Sequence, residues 1–198
     1  MLVSTAYFPP VEYFALLAKY SVVYVEACEN YIKQTWRNRC RILTANGPED
    51  LRVPVQHNGC RRMDGILVDY STPWLRRSEY AIESAYSSSP FFEYYRDPLF
   101  AILESRPQTL WELNWRITRF FCEKVGIAPQ LIATEDFVPP ADCAPGEDYR
   151  YLLSPKKEPL WQSRPYWQVF SDKFGFTPGL SIMDLLFNEG PESICYLK

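Results

Sequence analysis

Apolar residues along this chain recur first at strand spacing and then at helical spacing, and from about residue 136 they lose any period. The opening "LVSTAYF" is β-branched and aromatic and predicts a short strand, stopped by Pro9 and Pro10. "VEYFALLAKY" then places Val11, Phe14, Ala15 and Ala18 on one helical side, and "SVVYVEA" returns to strand. The expected start is therefore a β-α-β unit, with parallel pairing across a short crossover. Next, "RCRIL" and "LRVPV" flank "TANGPED", whose Asn-Gly-Pro is turn chemistry, so a hairpin is expected over 37–55 with a connection longer than two residues. Pro54 confines its second strand to an edge or an end. "QHNGCRRMDG" is loop, and "ILVDY" is a candidate for one more strand.

The middle of the chain is helical. "WLRRSEYAIESAY" gathers Trp74, Ser78, Ala81, Ile82 and Ala85 on one side. "FFEYYRDPLFAILES" predicts helix in two pieces around Pro98. "TLWELNWRITRFFCEKVG" opens on a capping box of Thr109 and Glu112. It buries Leu113, Ile117, Phe120, Phe121 and Val125, and closes on Gly126. "QLIAT" is a strand. Residues 136–165 are rich in proline and charge, long for a passive connection, and either disordered or a functional loop; Phe137, Tyr149, Tyr151 and Trp161 argue for packing of part of it. "SIMDLLFNEGPES" is a last helix, from Ser181 and Asp184 to Gly190 and Pro191. The expected class is mixed α/β (α+β). It comprises one domain over 1–198, with a small N-terminal sheet and hairpin, a helical middle, a long Pro-rich loop and a C-terminal helix.

Composition narrows the function. The chain has 198 residues, 47% hydrophobic, and a net charge of -3, so it is not built to coat nucleic acid and any cationic site is local. "MLVSTAYFPP" lacks the basic start of a secretory signal, and no run approaches the roughly 18 apolar residues of a membrane span. The six cysteines are scattered with no CxxC, which points to reduced thiols, a cytoplasmic location and no metal site. Without a Walker loop, GxGxxG, GxSxG or HExxH, the common nucleotide, hydrolase and zincin schemes lack support, and no cofactor is expected.

The cationic candidate is "YIKQTWRNRCRI". Arg37, Arg39 and Arg41 alternate, and on a strand they share one face. With Lys33 they form a candidate clasp for a diphosphate; Gln34 and Asn38 add neutral donors, and Trp36 is placed to stack on a base or sugar. The competing reading is a solvated strand face neutralised by Glu26 and Glu29. His57, the only histidine, follows a strand end and is a candidate proton acceptor or an ordinary loop histidine. Cys60, beside Arg61 and Arg62, is a candidate thiolate or an inert thiol. Asp184 and Asn188 lie one helical step apart. They suit a catalytic base and a hydroxyl-binding group, or two helix caps.

Several blocks together resemble the WbqC-like family of bacteria: "STAYFPPVEYFALLAKYSVVYVEACENYIKQTWRNRCRI", "TANGPEDLRVPV", "AIESAYSSSPFFEYY" and "YWQVFSDKFGFTPGLSIMDLLFNEGPES". The resemblance spans nearly the whole chain. It implies a place in synthesis of O-antigen and related surface polysaccharides, with an aminoacyl group such as glycine attached to an amino sugar. On that expectation the partners are a nucleotide-linked sugar and an activated acyl or aminoacyl donor. Lys33, Gln34, Trp36, Arg37, Asn38, Arg39, Arg41 and Asn188 would bind substrate, and Asp184 or His57 would take the amine proton. The alternative is a non-catalytic protein that binds a sugar nucleotide or a pathway partner. The oligomeric state is left open.

Overall fold

The computed structural model describes residues 1–56, 59–157, 159–161 and 163–198. Strand β1 (Leu2–Ser4), helix α1 (Val11–Leu17) and strand β2 (Val22–Glu26) form the expected β-α-β unit, and β1 pairs parallel to β2 with Leu2 opposite Tyr24. Such short strands need only a two-turn crossover. The helix is buried on every side, beyond the single face that its spacing suggested. Strand β5 (Gln130–Ala133) joins β2 in parallel, giving the order β1-β2-β5.

Strands β3 (Arg39–Thr44) and β4 (Gly47–Arg52) form a separate antiparallel hairpin. Its connection is tighter than expected: Thr44 lies opposite Gly47, leaving Ala45 and Asn46 as the two-residue link. Gly47 carries φ 109° while Ala45 and Asn46 avoid positive φ, so the turn is not the primed type, and the glycine absorbs the left-handed step. "ILVDY" adds no strand; it makes only isolated bridges, Val55 to Val68 and Leu67 to Thr109.

Helix α2 (Trp74–Tyr86) buries Trp74, Ser78, Ile82 and Ala85 as its spacing predicts. Helix α3 (Phe92–Glu104) runs unbroken through Pro98, a correction to the two expected pieces. The ring removes one backbone donor in mid-helix, and burial of Phe92, Tyr95, Leu99 and Leu103 on both sides of it offsets that loss. Helix α4 (Leu110–Lys124) is capped by Thr109, whose side chain accepts from Glu112 N. The reciprocal arm of the capping box is replaced, because Glu112 Oε1 accepts from Arg116 Nη2 at 2.5 Å, one turn on.

A short helix, α5 (Ser171–Phe174), precedes α6 (Ile182–Glu189), which is capped by Ser181 and is buried from Ile182 to Asn188. Its apolar residues face the core on most sides, and the polar Asp184 and Asn188 are enclosed with them. Phe187 meets Tyr86 and Phe92 edge-on at 5.3 and 5.2 Å, tying α6 to α2 and α3. Phe121 does the same for Phe8 and Phe14 at 6.1 and 6.0 Å, tying α4 to the N-terminal unit. Such pairs add about 0.5–1.5 kcal/mol each beyond their buried area.

The Pro-rich segment packs against the sheet. Leu2 N donates to Glu147 O and Tyr149 N donates to Leu2 O, extending the open edge of β1. Leu160 N donates to the carboxylate of Glu12 on α1 at 2.8 Å. Among the described residues no helix is long and apolar enough to cross a membrane.

Candidate anion-binding cleft

At the carboxyl ends of β1 and β2 the chain buries charge. Glu26 and Glu29 are 0% and 1% exposed, Arg37 and Arg150 3% and 2%. Each carboxylate recruits one guanidinium. Arg37 Nε and Nη2 donate to Glu29 at 2.9 and 2.6 Å, and Nη2 also donates to Ser4 Oγ at 2.7 Å. Arg150 Nη1 donates to Glu26 Oε2 at 2.9 Å, while its Nε and Nη2 take both oxygens of Asp148 at 2.9 and 2.7 Å. Burial works against the charge of Arg150, yet the hydrogen bond and negative charge of Asp148 outweigh it and hold the group above the ordinary guanidinium range. The same bond holds Asp148 below the usual carboxylate range.

Outside this network lies a cleft of ≈ 580 Å³. One wall is the loop that leaves β2, with Asn30, Tyr31 and Lys33; the other is formed by residues that follow β4, among them Gln56, Cys60, Arg61 and Ile66. Tyr31 N donates to Arg61 O at 2.7 Å, Met63 N to Glu29 O at 2.9 Å and Asp64 N to Ala27 O at 3.0 Å, so the walls are stitched together at their base. In open sheets of parallel strands, ligands collect outside the carboxyl ends. Lys33 and Arg61 have no ion-pair partner among the described residues, whereas Arg62 is held by Asp64 at 2.7 Å. Burial raises the Tyr31 phenol, and the charges of Arg39 and Arg37 nearby pull the other way. Among the described residues no cluster of three or more His, Cys, Asp or Glu is placed to hold a metal ion.

The structure distributes the sequence candidates over several places. Lys33 lines the cleft. Gln34 follows it in the same turn with φ 61°. Trp36 is 7% exposed, and the Arg41 guanidinium lies 5.6 Å from its ring centroid. Arg37 precedes β3 and is engaged by Glu29. Asn38 Nδ2 donates to Val53 O at 3.0 Å, joining the base of the hairpin. Arg39 and Arg41 do share a strand face, and both turn to Asp50 on β4, at 3.5 and 3.0 Å. Arg52 lies opposite Arg39 and adds a third cation to this face.

Asp184 and Asn188 share a face of α6 inside the core, 1% and 5% exposed, and neither lines the cleft. Asp184 Oδ2 accepts from Tyr166 OH and Gln168 Nε2, both at 2.8 Å, and Asn188 Nδ2 donates to Asp184 O at 2.8 Å. No cation among the described residues pairs with it, and burial pushes Asp184 up to about 6 against those hydrogen bonds. His57 lies outside the described residues. Asn30, Tyr31 and Gln56 were not singled out from sequence, because isolated amides and a tyrosine carry no spacing signal. Arg61 was visible only as a neighbour of Cys60.

The sequence profile of the WbqC-like protein family matches residues 5–145, which include both walls of the cleft and end before Tyr166, Gln168 and Asp184. The uncharacterized protein Rv1507c of Mycobacterium tuberculosis is 30% identical over 230 residues, an alignment that covers 100% of this chain and 96% of that protein. No solved structure matches. The matched segment carries the β-α-β unit, the hairpin and the cleft, and the chain belongs to the WbqC-like protein family.

Proposed function

We propose that this protein serves the synthesis of surface polysaccharides by binding a nucleotide-linked amino sugar in the cleft, with the diphosphate on Lys33 and Arg61. One observation carries the reading. Two cations without carboxylate partners among the described residues face a ≈ 580 Å³ cleft at the carboxyl ends of parallel strands. A guanidinium and an ammonium recognise phosphate oxygens through charge-assisted hydrogen bonds. Arg37, Arg39 and Arg41, engaged by Glu29 and Asp50, act on the ligand through the field they add to this end of the molecule.

Calorimetric titration with a panel of nucleotide-linked amino sugars tests the reading. Lys33→Ala and Arg61→Ala each remove a charged contact worth about 1.5–3 kcal/mol, so each weakens binding about tenfold or more. Added salt weakens the wild type. Equal affinities for wild type and both variants refute the assignment.

A second reading, acyl or aminoacyl transfer to the sugar amine, is favoured by the exposed Cys60 on the same wall as Arg61. Its thiolate would attack the donor carbonyl and expel the donor's leaving group. The amine would then attack the thioester, lose its proton and release the thiolate. Product mass on the sugar amine decides: a gain equal to the donated group, abolished in Cys60→Ser, supports transfer, and binding without turnover rejects it. His57→Ala reports on the proton acceptor, slowing turnover while leaving affinity in place if that group takes the proton.

A further inference from the structure

The geometry points to Tyr31 as the stacking platform for the nucleobase of a nucleoside diphosphate, with Asn30 and Gln56 meeting the base edge and Lys33 and Arg61 the diphosphate. The inference rests on the reading of the cleft as a sugar-nucleotide site and deepens it to an orientation.

Tyr31 is half-buried. It packs against the core and lines the cleft, so its ring is held before any ligand arrives. Its backbone N–H donates to Arg61 O at 2.7 Å, which ties the position of the ring to the wall that carries a cation. The backbones that carry ring and cation are thus held together. A π-face and positive charges lining one cleft suit a base joined through a ribose to phosphate.

The carboxamides complete the arrangement. Gln56 Nε2 donates to Val68 O at 3.3 Å, which leaves Oε1 as an acceptor. Asn30 makes no side-chain hydrogen bond among the described residues and offers both a donor and an acceptor. Every base presents donors and acceptors in its ring plane, so amides beside a stacking ring contact the edge while the ring covers the face. No carboxylate lines the cleft among the described residues, so nothing there repels the phosphates.

Titration calorimetry of the full chain with inorganic pyrophosphate, UDP and ADP tests the inference. Both nucleotides are expected to bind about tenfold or more tighter than pyrophosphate, the increment that stacking a base supplies. Tyr31→Ala should lower nucleotide affinity to the pyrophosphate level and leave pyrophosphate affinity unchanged, which also shows that the cleft is intact. Tyr31→Phe, which keeps the ring, should retain the increment. If wild type binds UDP, ADP and pyrophosphate equally, or Tyr31→Ala keeps the increment, the platform is wrong while the cationic cleft stands. If pyrophosphate and nucleotides all fail to bind, or Lys33→Ala and Arg61→Ala bind them as wild type does, the underlying reading falls as well.

Discussion

Replacing Arg150 by methionine removes a guanidinium that the fold has enclosed and leaves the carboxylate of Glu26, 0% exposed, without its counter-charge. Opposite unit charges 2.9 Å apart attract by about 6 kcal/mol at an effective dielectric near 20, the scale of the Coulomb attraction lost. Part of Glu26's stabilisation survives. Oε1 still accepts from Cys28 N at 3.0 Å and Thr134 Oγ1 at 2.6 Å, and Oε2 from Val138 N at 3.1 Å. Asp148 is 17% exposed and recovers hydration, so its loss is smaller. Val138 O also loses the Arg150 Nη1 donor at 2.7 Å. The expected cost is about 3–5 kcal/mol, the range for breaking a buried pair from one side.

Urea denaturation reads that cost as a lower midpoint at unchanged slope, and thermal unfolding as a Tm lower by about 6–20 °C for a chain of this size. The double variant with Glu26→Gln should recover part of the loss, because the enclosed charge goes with its partner. A single variant within about 1 kcal/mol of wild type would show that Glu26 reaches water or another cation, and would refute the reasoning.

Two further outcomes follow from buried or constrained positions. Asp184 holds its proton more tightly in the folded state, about 6 against 3.8 unfolded. Its contribution to stability is therefore fully present below pH 3.8 and is lost as pH rises through 6, about 3 kcal/mol in all. Unfolding midpoints from pH 3.5 to 7.5 should show that decline in wild type and a flatter profile in Asp184→Asn, and identical profiles would reject it. Gly190 closes α6 at φ 52°, and a Cβ there would stand 2.6 Å from the Phe91 ring. Gly190→Ala should cost about 2 kcal/mol or more in denaturant unfolding, and a neutral effect would mean that Phe91 moves aside freely.

Much of the fold was legible in short windows. The β-α-β start, the buried stripe of α4, the cap at Thr109 and the stop at Gly190 each depend on residues within a few positions of one another. Propensity and spacing act over that range. The hairpin was legible too, although its link came out as two residues and its second strand begins at Gly47 instead of Leu51, since pairing of Thr44 with Gly47 depends on how far the ladder zips. Helix α3 departs from its local signal because packing on both sides of Pro98 outweighs one missing donor.

What the sequence alone determined is where most helices and strands form, the buried faces of α2 and α4, and that cations cluster between Lys33 and Arg41. Tertiary structure decided what those cations do. Arg37 and Glu29 are eight positions apart, yet their engagement depends on how the loop between β2 and β3 folds on itself. Glu26 finds Arg150 across 124 positions, a pairing that no local pattern encodes. Asp184, polar in sequence, is carried into the core with Asn188 by the apolar residues that make up the rest of buried α6. Lys33 and Arg61 gain their place in the cleft from the stitching of two loops. The physical reason is common to all of these. A charge takes its role from the nearest opposite charge and the nearest water, and both are set by the folded chain.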